Sequence, residues 1–333
     1  MQNLLLIFIF LFWSCEDNVT NDQNSNLLFI SSEGTFGNSD ASISVFKNNE
    51  LIQTVTNVGD VLQSLLVQDN KLYAIINNSH SIKRYNITEN GLHLPGIEIP
   101  TNNSSPREMV IVKNKLYFTN WNTNDVKVLD LNTFSIISSI TLNGVPEDIV
   151  TDGNFLWVSI PMLELYDKND GSSIVKIDID SENIIKTYEV GNGPEHMILN
   201  NNLLYISRTF YSADWSPFYG SSSLDTETGE ISSIVYGAGI VCGGSLVKLN
   251  NEIMRTVDGG IAPFESDLNL NLARKIGFHS NLYSAFSDNE YLYLAISDYT
   301  APDSVFIHNQ SGDILDILSV GANPGDYAIW IND

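Results

Sequence analysis

The feature of this sequence that most limits its possible folds is a short apolar motif that recurs seven times. Each copy is centred on Leu or Ile, and in six copies an aromatic residue follows directly. The central residues are Leu28, Leu72, Leu116, Leu156, Leu204, Ile253 and Leu292, which lie 39 to 49 residues apart. A repeat of this length, built only from short strand-like segments, is typical of the blades of a β-propeller.

Each repeat can be divided into four strands. In the clearest part of the chain, the sequence predicts strands over 115–120, 126–131 and 135–142, and the inner strand of the next repeat over 147–151. Turns rich in Asn, Asp and Gly separate these segments. The sequence therefore predicts an all-β fold, a seven-bladed β-propeller whose blades are four-stranded antiparallel sheets.

The two ends of the repeat region complement each other. The first repeat begins at Leu27 on its second strand, whereas residues 327–331 form a strand that no blade follows. We expect the C-terminal strand to become the inner strand of the N-terminal blade, which closes the ring without an open sheet edge. A single propeller is thus predicted over 27–333.

The charge of the chain excludes some classes of partner. The sequence has 40 acidic and 16 basic residues and a net charge of −24. Nucleic acids and anionic membrane surfaces would be repelled by such an exterior, and we expect neither as a partner. The acidity would keep a secreted protein soluble, or it would steer a cationic ligand towards the protein. We expect a monomer.

The N-terminus has the pattern of an export signal. Residues 3–13 form an apolar run that is too short to span a bilayer, and Ser14 and Cys15 follow it. We expect a signal peptide over 1–14, lipidation of Cys15, and an acidic, Asn-rich, disordered tether over 15–26. Trp13 is bulky for a lipidation signal and no basic residue precedes the run, so secretion without a lipid anchor is the alternative.

Three segments resemble the YVTN or YncE-like family of seven-bladed propellers. Residues 117–120 read Tyr-Phe-Thr-Asn, close to the tetrapeptide for which the family is named. Residues 126–133 are similar to its strand and turn after Asp. Residues 144–149 are similar to its glycine, proline and inner-strand junction, which recurs at 193–197 and 323–326.

The resemblance implies the fold and narrows the function only loosely, because propellers host many activities. Within the family, lipid-anchored members from Gram-negative bacteria capture nutrients, including cobalamin, at the cell surface beside an outer-membrane transporter. By resemblance, this chain would be an outer-membrane lipoprotein on the periplasmic or the cell-surface side, with such a transporter as a possible partner.

In a propeller, the loops between an outer strand and the next inner strand emerge on the same face as those between the second and third strands. In this sequence, many aromatic and charged residues fall in these loops. Aromatic rings stack on planar rings and sugar faces, while a few polar groups set orientation. The predicted ligand-binding residues are Phe36, Arg107, Trp121, Glu147, Asp148, Tyr166, His196, Arg208, Tyr211, Trp215, Tyr219 and Tyr299. The alternative is that long loops use their aromatic residues as small cores of their own.

His196, flanked by Glu195, is the one candidate for catalysis, since a histidine facing the channel could act as a base or bind a metal. A structural, hydrogen-bonded histidine is the alternative. Carboxylates at Glu147, Asp148, Glu195 and Asp326 could together hold calcium, although no spacing motif supports it, and we predict no cofactor. Nucleophile-elbow, phosphate-loop and dinucleotide motifs are absent from the sequence.

Three functions therefore remain open. The first is a non-catalytic, lipid-anchored capture protein for a corrinoid or a glycan. The second is a propeller hydrolase or lyase that uses His196 with its acidic neighbours. The third is a protein-interaction scaffold in the cell envelope.

Overall fold

The structure, a computed structural model, describes residues 26–239 and 244–332. These residues form seven antiparallel sheets of short strands and one turn of 3-10 helix at Leu272–Arg274. The prediction of an all-β, seven-bladed propeller is confirmed. In the described ranges, no helix is both long and apolar enough to cross a membrane. The predicted signal peptide, Cys15 and all but the last residue of the predicted tether lie outside the described residues.

The strands follow one another outward from the central channel in each blade, as inner, second, third and outer strand. The strands of blades 1 to 4 are β1 (Leu27–Ser32), β2 (Ser42–Lys47), β3 (Glu50–Val55), β4 (Leu62–Gln68), β5 (Lys71–Ile76), β6 (Ser81–Thr88), β7 (Gly91–Pro100), β8 (Pro106–Val112), β9 (Lys115–Asn120), β10 (Asp125–Asp130), β11 (Ser135–Thr141), β12 (Ile149–Thr151), β13 (Phe155–Ile160), β14 (Ser173–Asp178) and β15 (Ile184–Glu189). The remaining strands are β16 (Pro194–Asn200), β17 (Leu203–Tyr211), β18 (Pro217–Asp225), β19 (Ile231–Ala238), β20 (Leu246–Leu249), β21 (Glu252–Val257), β22 (Gly260–Pro263), β23 (Leu282–Ser287), β24 (Leu292–Ile296), β25 (Asp303–His308), β26 (Ile314–Val320) and β27 (Pro324–Trp330).

The ring is closed by the C-terminal strand. β27 pairs antiparallel with β1, with Leu27 opposite Trp330 and Phe29 opposite Ala328. β27 is therefore the inner strand of blade 1, as predicted. The first and the last strand of the chain thus lie side by side in one sheet.

Paired residues with positive φ form several of the tight turns. Lys113 and Asn114, between β8 and β9, have φ of 49° and 63°, and Asn250 and Asn251, between β20 and β21, have φ of 48° and 63°. Type I′ hairpin turns require positive φ at both central residues, which Asn tolerates better than most residues. The Asn-rich turns of the sequence are thus hairpin turns within the blades.

The core lies between adjacent blades. Apolar clusters fill six of the seven interfaces; one of them packs Tyr117 and Val128 of blade 3 against Leu156 and Val158 of blade 4. Between blades 5 and 6, the described residues instead include the fully buried Arg255, whose guanidinium lies over the rings of Tyr219 and Tyr236.

Blade 6 departs from the four-strand pattern. Its described residues form three strands, and Ile276 takes the outer position through two backbone hydrogen bonds to Ile261, at 2.8 and 2.9 Å. The blade keeps its place in the ring through its second strand and through the apolar cluster that it shares with blade 7.

Candidate functional site

The inner strands of all seven blades place residues around a common opening at one end of the channel. This opening is a cavity of about 400 Å³, here called the channel mouth. It is lined by Glu33, Val61, Gln63, Arg107, Glu108, Glu147, Asp148, His196, Ser245, Tyr283, Ser284, Gly325 and Asp326. Ligand sites in proteins commonly have volumes of about 300–1,000 Å³ and converging polar groups, so the channel mouth is the candidate site.

An arginine, a glutamate and a tryptophan form a rigid unit at the mouth. Arg107 donates to both carboxylate oxygens of Glu147, with the shortest N–O distance at 2.6 Å. The indole of Trp121 donates to the second oxygen of Glu147 at 2.8 Å, and the Arg107 guanidinium lies 4.0 Å from the Trp121 ring centroid. Both charged side chains are largely buried, so the pair holds Trp121 in place beside the mouth.

The remaining carboxyl groups of the mouth hold their protons more strongly than usual. Burial raises the pKa of Asp148 to about 7 and that of Asp326 to about 6. Glu195 directly precedes His196 but does not line the cavity, and burial likewise raises its pKa to about 7. Burial, reinforced by the neighbouring carboxylates, raises the pKa of Glu108 well above its ordinary value. Near neutral pH, the mouth therefore offers both hydrogen-bond acceptors and carboxyl O–H donors.

Two of these carboxylates also connect neighbouring blades. Asp148 accepts the backbone N–H of Met197 in blade 5 at 2.6 Å and that of Ile149 at 2.7 Å. Asp326 accepts the backbone N–H of Leu65 in blade 2 at 2.7 Å. Their oxygens are used to fix the inner strands, which favours a structural role for both residues.

His196 lines the mouth, and the backbone before it is fixed by a glycine. The backbone N–H of His196 donates to Ser207 Oγ at 3.2 Å. Burial lowers the pKa of the His196 imidazole. Gly193 has φ of +65°, and a Cβ atom there would lie 1.9 Å from the carbonyl oxygen of Thr209. The junction before β16 therefore requires glycine. His80 does not join this site, because its Nδ1 accepts the N–H of Ser105 at 3.1 Å.

The four carboxylates considered for calcium are not arranged as a metal site. Glu147 is held by Arg107 and Trp121, while Asp148 and Asp326 accept backbone N–H groups. Within residues 26–239 and 244–332, no group of three or more His, Cys, Asp or Glu side chains has a geometry that could hold a metal ion.

The predicted aromatic residues fall into two groups. Trp121, Tyr166, Tyr211 and Trp215 form a series over blades 3 to 5, here called the aromatic arc. The rings of Trp121 and Tyr166 are edge to face at 6.1 Å, and those of Tyr211 and Trp215 are 5.9 Å apart. Tyr166 is 74% exposed and Trp215 55% exposed.

The second group serves packing rather than the mouth. Tyr219 lies against Tyr236, with 5.4 Å between ring centroids, and Arg255 is 5.4 Å from the Tyr219 ring. Arg208 is buried and donates to the carbonyl oxygen of Ile234 at 2.9 Å. The structure does not bring Arg208 or Tyr219 to the channel mouth, and Phe36 is exposed on the loop after β1, outside it.

Tyr299 lines a separate and larger depression on the same face. This depression of about 760 Å³ lies between the loops of blades 6 and 7 and shares Tyr283 with the channel mouth. The rings of Tyr283 and Tyr299 are edge to face at 6.3 Å. The two cavities are therefore adjacent.

Several residues of the mouth were not among the predicted ligand-binding residues. Gln63, Glu108 and Tyr283 stand at the starts of inner strands, and the junction loops of the sequence do place them on this face, although the selected ligand-binding residues left them out. Glu33 follows β1, the second strand of blade 1, and only the position of β27 beside it brings it to the channel.

Comparisons with known proteins support the fold alone. No protein-family model matches the sequence, and no curated protein shows a significant match. Among solved structures, a putative 6-phosphogluconolactonase from Bacteroides uniformis is similar, with a TM-score of 0.65 and 15% identity over 92% of this chain and 100% of that chain. Apo AztD from Citrobacter koseri has a TM-score of 0.56 and 10% identity over 92% and 97%. BamB from Moraxella catarrhalis has a TM-score of 0.52 and 14% identity over 86% and 88%.

Proposed function

We propose that this chain is a lipid-anchored binding protein of the bacterial cell envelope that captures a polar, ring-bearing small molecule at the channel mouth. The observation that carries the proposal is the unit of Arg107, Glu147 and Trp121, which holds an aromatic ring at the rim of a carboxyl-lined cavity. A glycan suits this site best, because its hydroxyl groups pair with carboxyl groups and its ring faces stack on indole. A corrinoid is the alternative ligand.

The direction in which the chain enters the propeller favours capture from outside the membrane. Asn26 and Leu27 lie at one end of β1, beside the cavity formed with Asn49 and Tyr291, whereas Glu33 lies just past the other end, at the channel mouth. A tether attached before Asn26 would therefore extend from the face that lies opposite the mouth. With lipid on Cys15, the mouth would point away from the membrane, towards a soluble ligand or a transporter.

The resemblance to the YncE-like family supports the same function. In that family, lipid-anchored members capture nutrients, and the present chain combines a similar N-terminus with the propeller that the resemblance implies. The envelope location, the lipid anchor and a transporter partner are parts of this proposal. Mass spectrometry of the protein from its native membrane would test the lipid on Cys15.

Binding is tested by calorimetric titration of the purified protein with cellohexaose, maltohexaose, N-acetylchitohexaose and cyanocobalamin. We expect saturable binding of at least one of these compounds. His196→Ala should weaken that binding about tenfold, the loss of one good polar contact, with little change in thermal stability. Glu290→Gln, in the exposed turn between β23 and β24, is the control. If no compound saturates the protein, or if both variants bind like the wild type, the proposed site is wrong.

A hydrolase or lyase is the second candidate. It is favoured by Glu195, whose pKa of about 7 suits an acid or base at neutral pH and which directly precedes His196. In that case, lactone or uronide substrates would be turned over and Glu195→Gln would abolish the reaction without abolishing binding. Binding without turnover would leave capture as the function.

A further inference from the structure

The aromatic arc continues from the channel mouth across three blades. Trp121 is joined to the mouth through Arg107 and Glu147, and it contacts Tyr166 in the next blade. Lys168 of blade 4 lies 5.3 Å from the Trp215 ring and donates to the carbonyl oxygen of Ala213 at 2.8 Å. The loops of blades 4 and 5 are thus fixed to each other along the line of the arc.

The second part of the arc stands on a raised hairpin. β17 and β18 have nine residues each, whereas the second strands β1, β5, β9 and β13 have six. Three extra residues lengthen a strand by about 10 Å. The hairpin of blade 5 therefore extends beyond the neighbouring blades and carries Tyr211 and Trp215 at its end, beside the mouth.

Two rings of the arc are exposed in an unfavourable backbone conformation. Tyr166 has φ of +64° and Trp215 has φ of +66°. Bulky residues rarely adopt positive φ, and such strain occurs preferentially at functional sites. Gly and Asn adopt this conformation more readily than Tyr or Trp, and exposed rings add nothing to the core.

We infer that the aromatic arc is an extended subsite for an oligosaccharide, one end of which enters the channel mouth. This inference rests on the proposed function and specifies its ligand as a chain of several sugar rings. Successive rings stack on Trp121, Tyr166 and Trp215, while hydroxyl groups at the chain end bind the carboxyl groups of the mouth. Because the protein has a net charge of −24, the chain is neutral or cationic rather than a polyuronide.

The other packing of loop aromatics does not explain the arc. The pairs Phe210 with Phe218 and Tyr219 with Tyr236 have centroid distances of 5.9 and 5.4 Å and fill the body of the blade 5 hairpin. Tyr166 and Trp215 lie outside that packing, and more than half of each side chain is exposed. They are therefore available to a ligand.

The test compares chain lengths in calorimetric titrations of the full chain. The probes are glucose, cellobiose and cellohexaose, the matching maltose and N-acetylchitose series, and oligogalacturonate as an anionic chain. We expect one neutral series to bind, with the hexamer at least about tenfold tighter than the monomer. Trp215→Ala should remove most of that gain and leave monomer affinity within about twofold, because Trp215 lies beyond the mouth.

Phe36→Ala is the matched control, since Phe36 is an exposed aromatic residue of the equivalent loop in blade 1, outside the arc. Its hexamer affinity should equal that of the wild type. Equal affinity for monomer and hexamer, an unchanged hexamer affinity in Trp215→Ala, or preferred binding of oligogalacturonate would each overturn the extended subsite while leaving capture at the mouth intact. Binding of cyanocobalamin with no sugar bound would also overturn the subsite, whereas binding of no probe at all would overturn the proposed function as well.

Discussion

At the scale of single residues, burial rather than charge count determines the chemistry of the channel mouth. The carboxyl groups of Asp148 and Asp326, which line the mouth, and that of Glu195, next to His196, all have raised pKa values because they are removed from water. Arg107 is bound to Glu147 and so does not neutralise them directly. The mouth is therefore a site whose protonation changes around pH 6 to 7.

The contribution of Glu195 to the free energy of unfolding should change with pH in a definite direction. Its pKa is about 7 in the folded protein against an ordinary 4.5, so the folded state retains its proton more strongly than the unfolded state. The resulting stabilisation is full below about pH 4.5 and is lost as pH rises through 7. Glu195→Gln, which resembles the protonated acid, should therefore gain unfolding free energy relative to the wild type over this window, by up to about 3 kcal/mol.

Denaturant unfolding of both proteins at pH 4, 5.5, 7 and 8 measures this difference. The control is Glu164→Gln, because Glu164 is an exposed glutamate on the same face. Its difference from the wild type should not change with pH in the same way. A difference for Glu195→Gln that stays constant from pH 4 to pH 8 would contradict the assigned burial.

Two glycines allow backbone conformation to be separated from close contact. Gly193 and Gly153 both have positive φ, but a Cβ atom at Gly193 would meet Thr209, whereas at Gly153 there is nothing within 4 Å. Gly153→Ala should cost about 1 kcal/mol of unfolding free energy, and Gly193→Ala about 3 kcal/mol or more. Chemical denaturation gives both values, and equal losses would show that the junction before β16 is not tightly packed.

At the scale of strands, the blades are joined by a hydroxyl group that recurs at one position of the second strand. Thr119 of β9 donates to the carbonyl oxygen of Glu147 in the next blade at 2.7 Å, and Ser159 of β13 donates to that of Glu195 at 2.8 Å. These bonds fix the residues that line the mouth. In blade 6, the equivalent Thr256 has a buried hydroxyl that finds no hydrogen-bond partner among the described residues.

The same substitution at two equivalent threonines tests this role. Thr119→Val leaves the Glu147 carbonyl oxygen and the Glu108 N–H without their side-chain partner, and should cost about 1–3 kcal/mol of unfolding free energy. Thr256→Val removes a hydroxyl that has no partner in the described part of the chain, so the stability of this variant should be unchanged or slightly higher. Thermal and denaturant unfolding compare the two variants, and a larger loss at Thr256 would contradict the assignment.

Most of the strands, but not their lengths, could be predicted from the sequence alone. The apolar motifs and Asn-rich turns are local signals, so the blades, their order and the pairing of β27 with β1 followed from them. The length of β17 did not, because the aromatic segment after Arg208 has the composition of a loop but pairs with β18 up to Tyr211. That extension places Arg208 inside the sheet, where it is buried, and no local pattern specified it.

The interface between blades 5 and 6 could not be predicted from the sequence either. Arg255 lies at a second-strand position where most blades have an apolar or aromatic residue, and its guanidinium lies over Tyr219 and Tyr236. Among the described residues, no carboxylate lies within ion-pairing distance of it. Only the packing of two consecutive blades against each other creates this contact, and no local pattern in either blade specifies it.

At the scale of the whole molecule, the closed ring places the binding groups and the chain's entry on opposite faces. The channel mouth, the aromatic arc and the depression beside Tyr299 share one face. The start of β1 at Leu27 and the cavity beside it lie on the other. In the proposed function, this arrangement separates the lipid attachment point from the capture surface, whichever ligand is bound.

Hydrogen exchange mapped by mass spectrometry tests most directly whether the ligand binds on the face of the channel mouth. Exchange is compared with and without a saturating concentration of the tightest-binding probe. We expect protection at the starts of the inner strands, in peptides containing Arg107, Glu147 and His196, and in the blade 4 and 5 loops that carry Tyr166 and Trp215. Exchange near Asn26, Asn49 and Tyr291 should not change. Protection confined to that opposite face, with none around the channel mouth, would contradict the account.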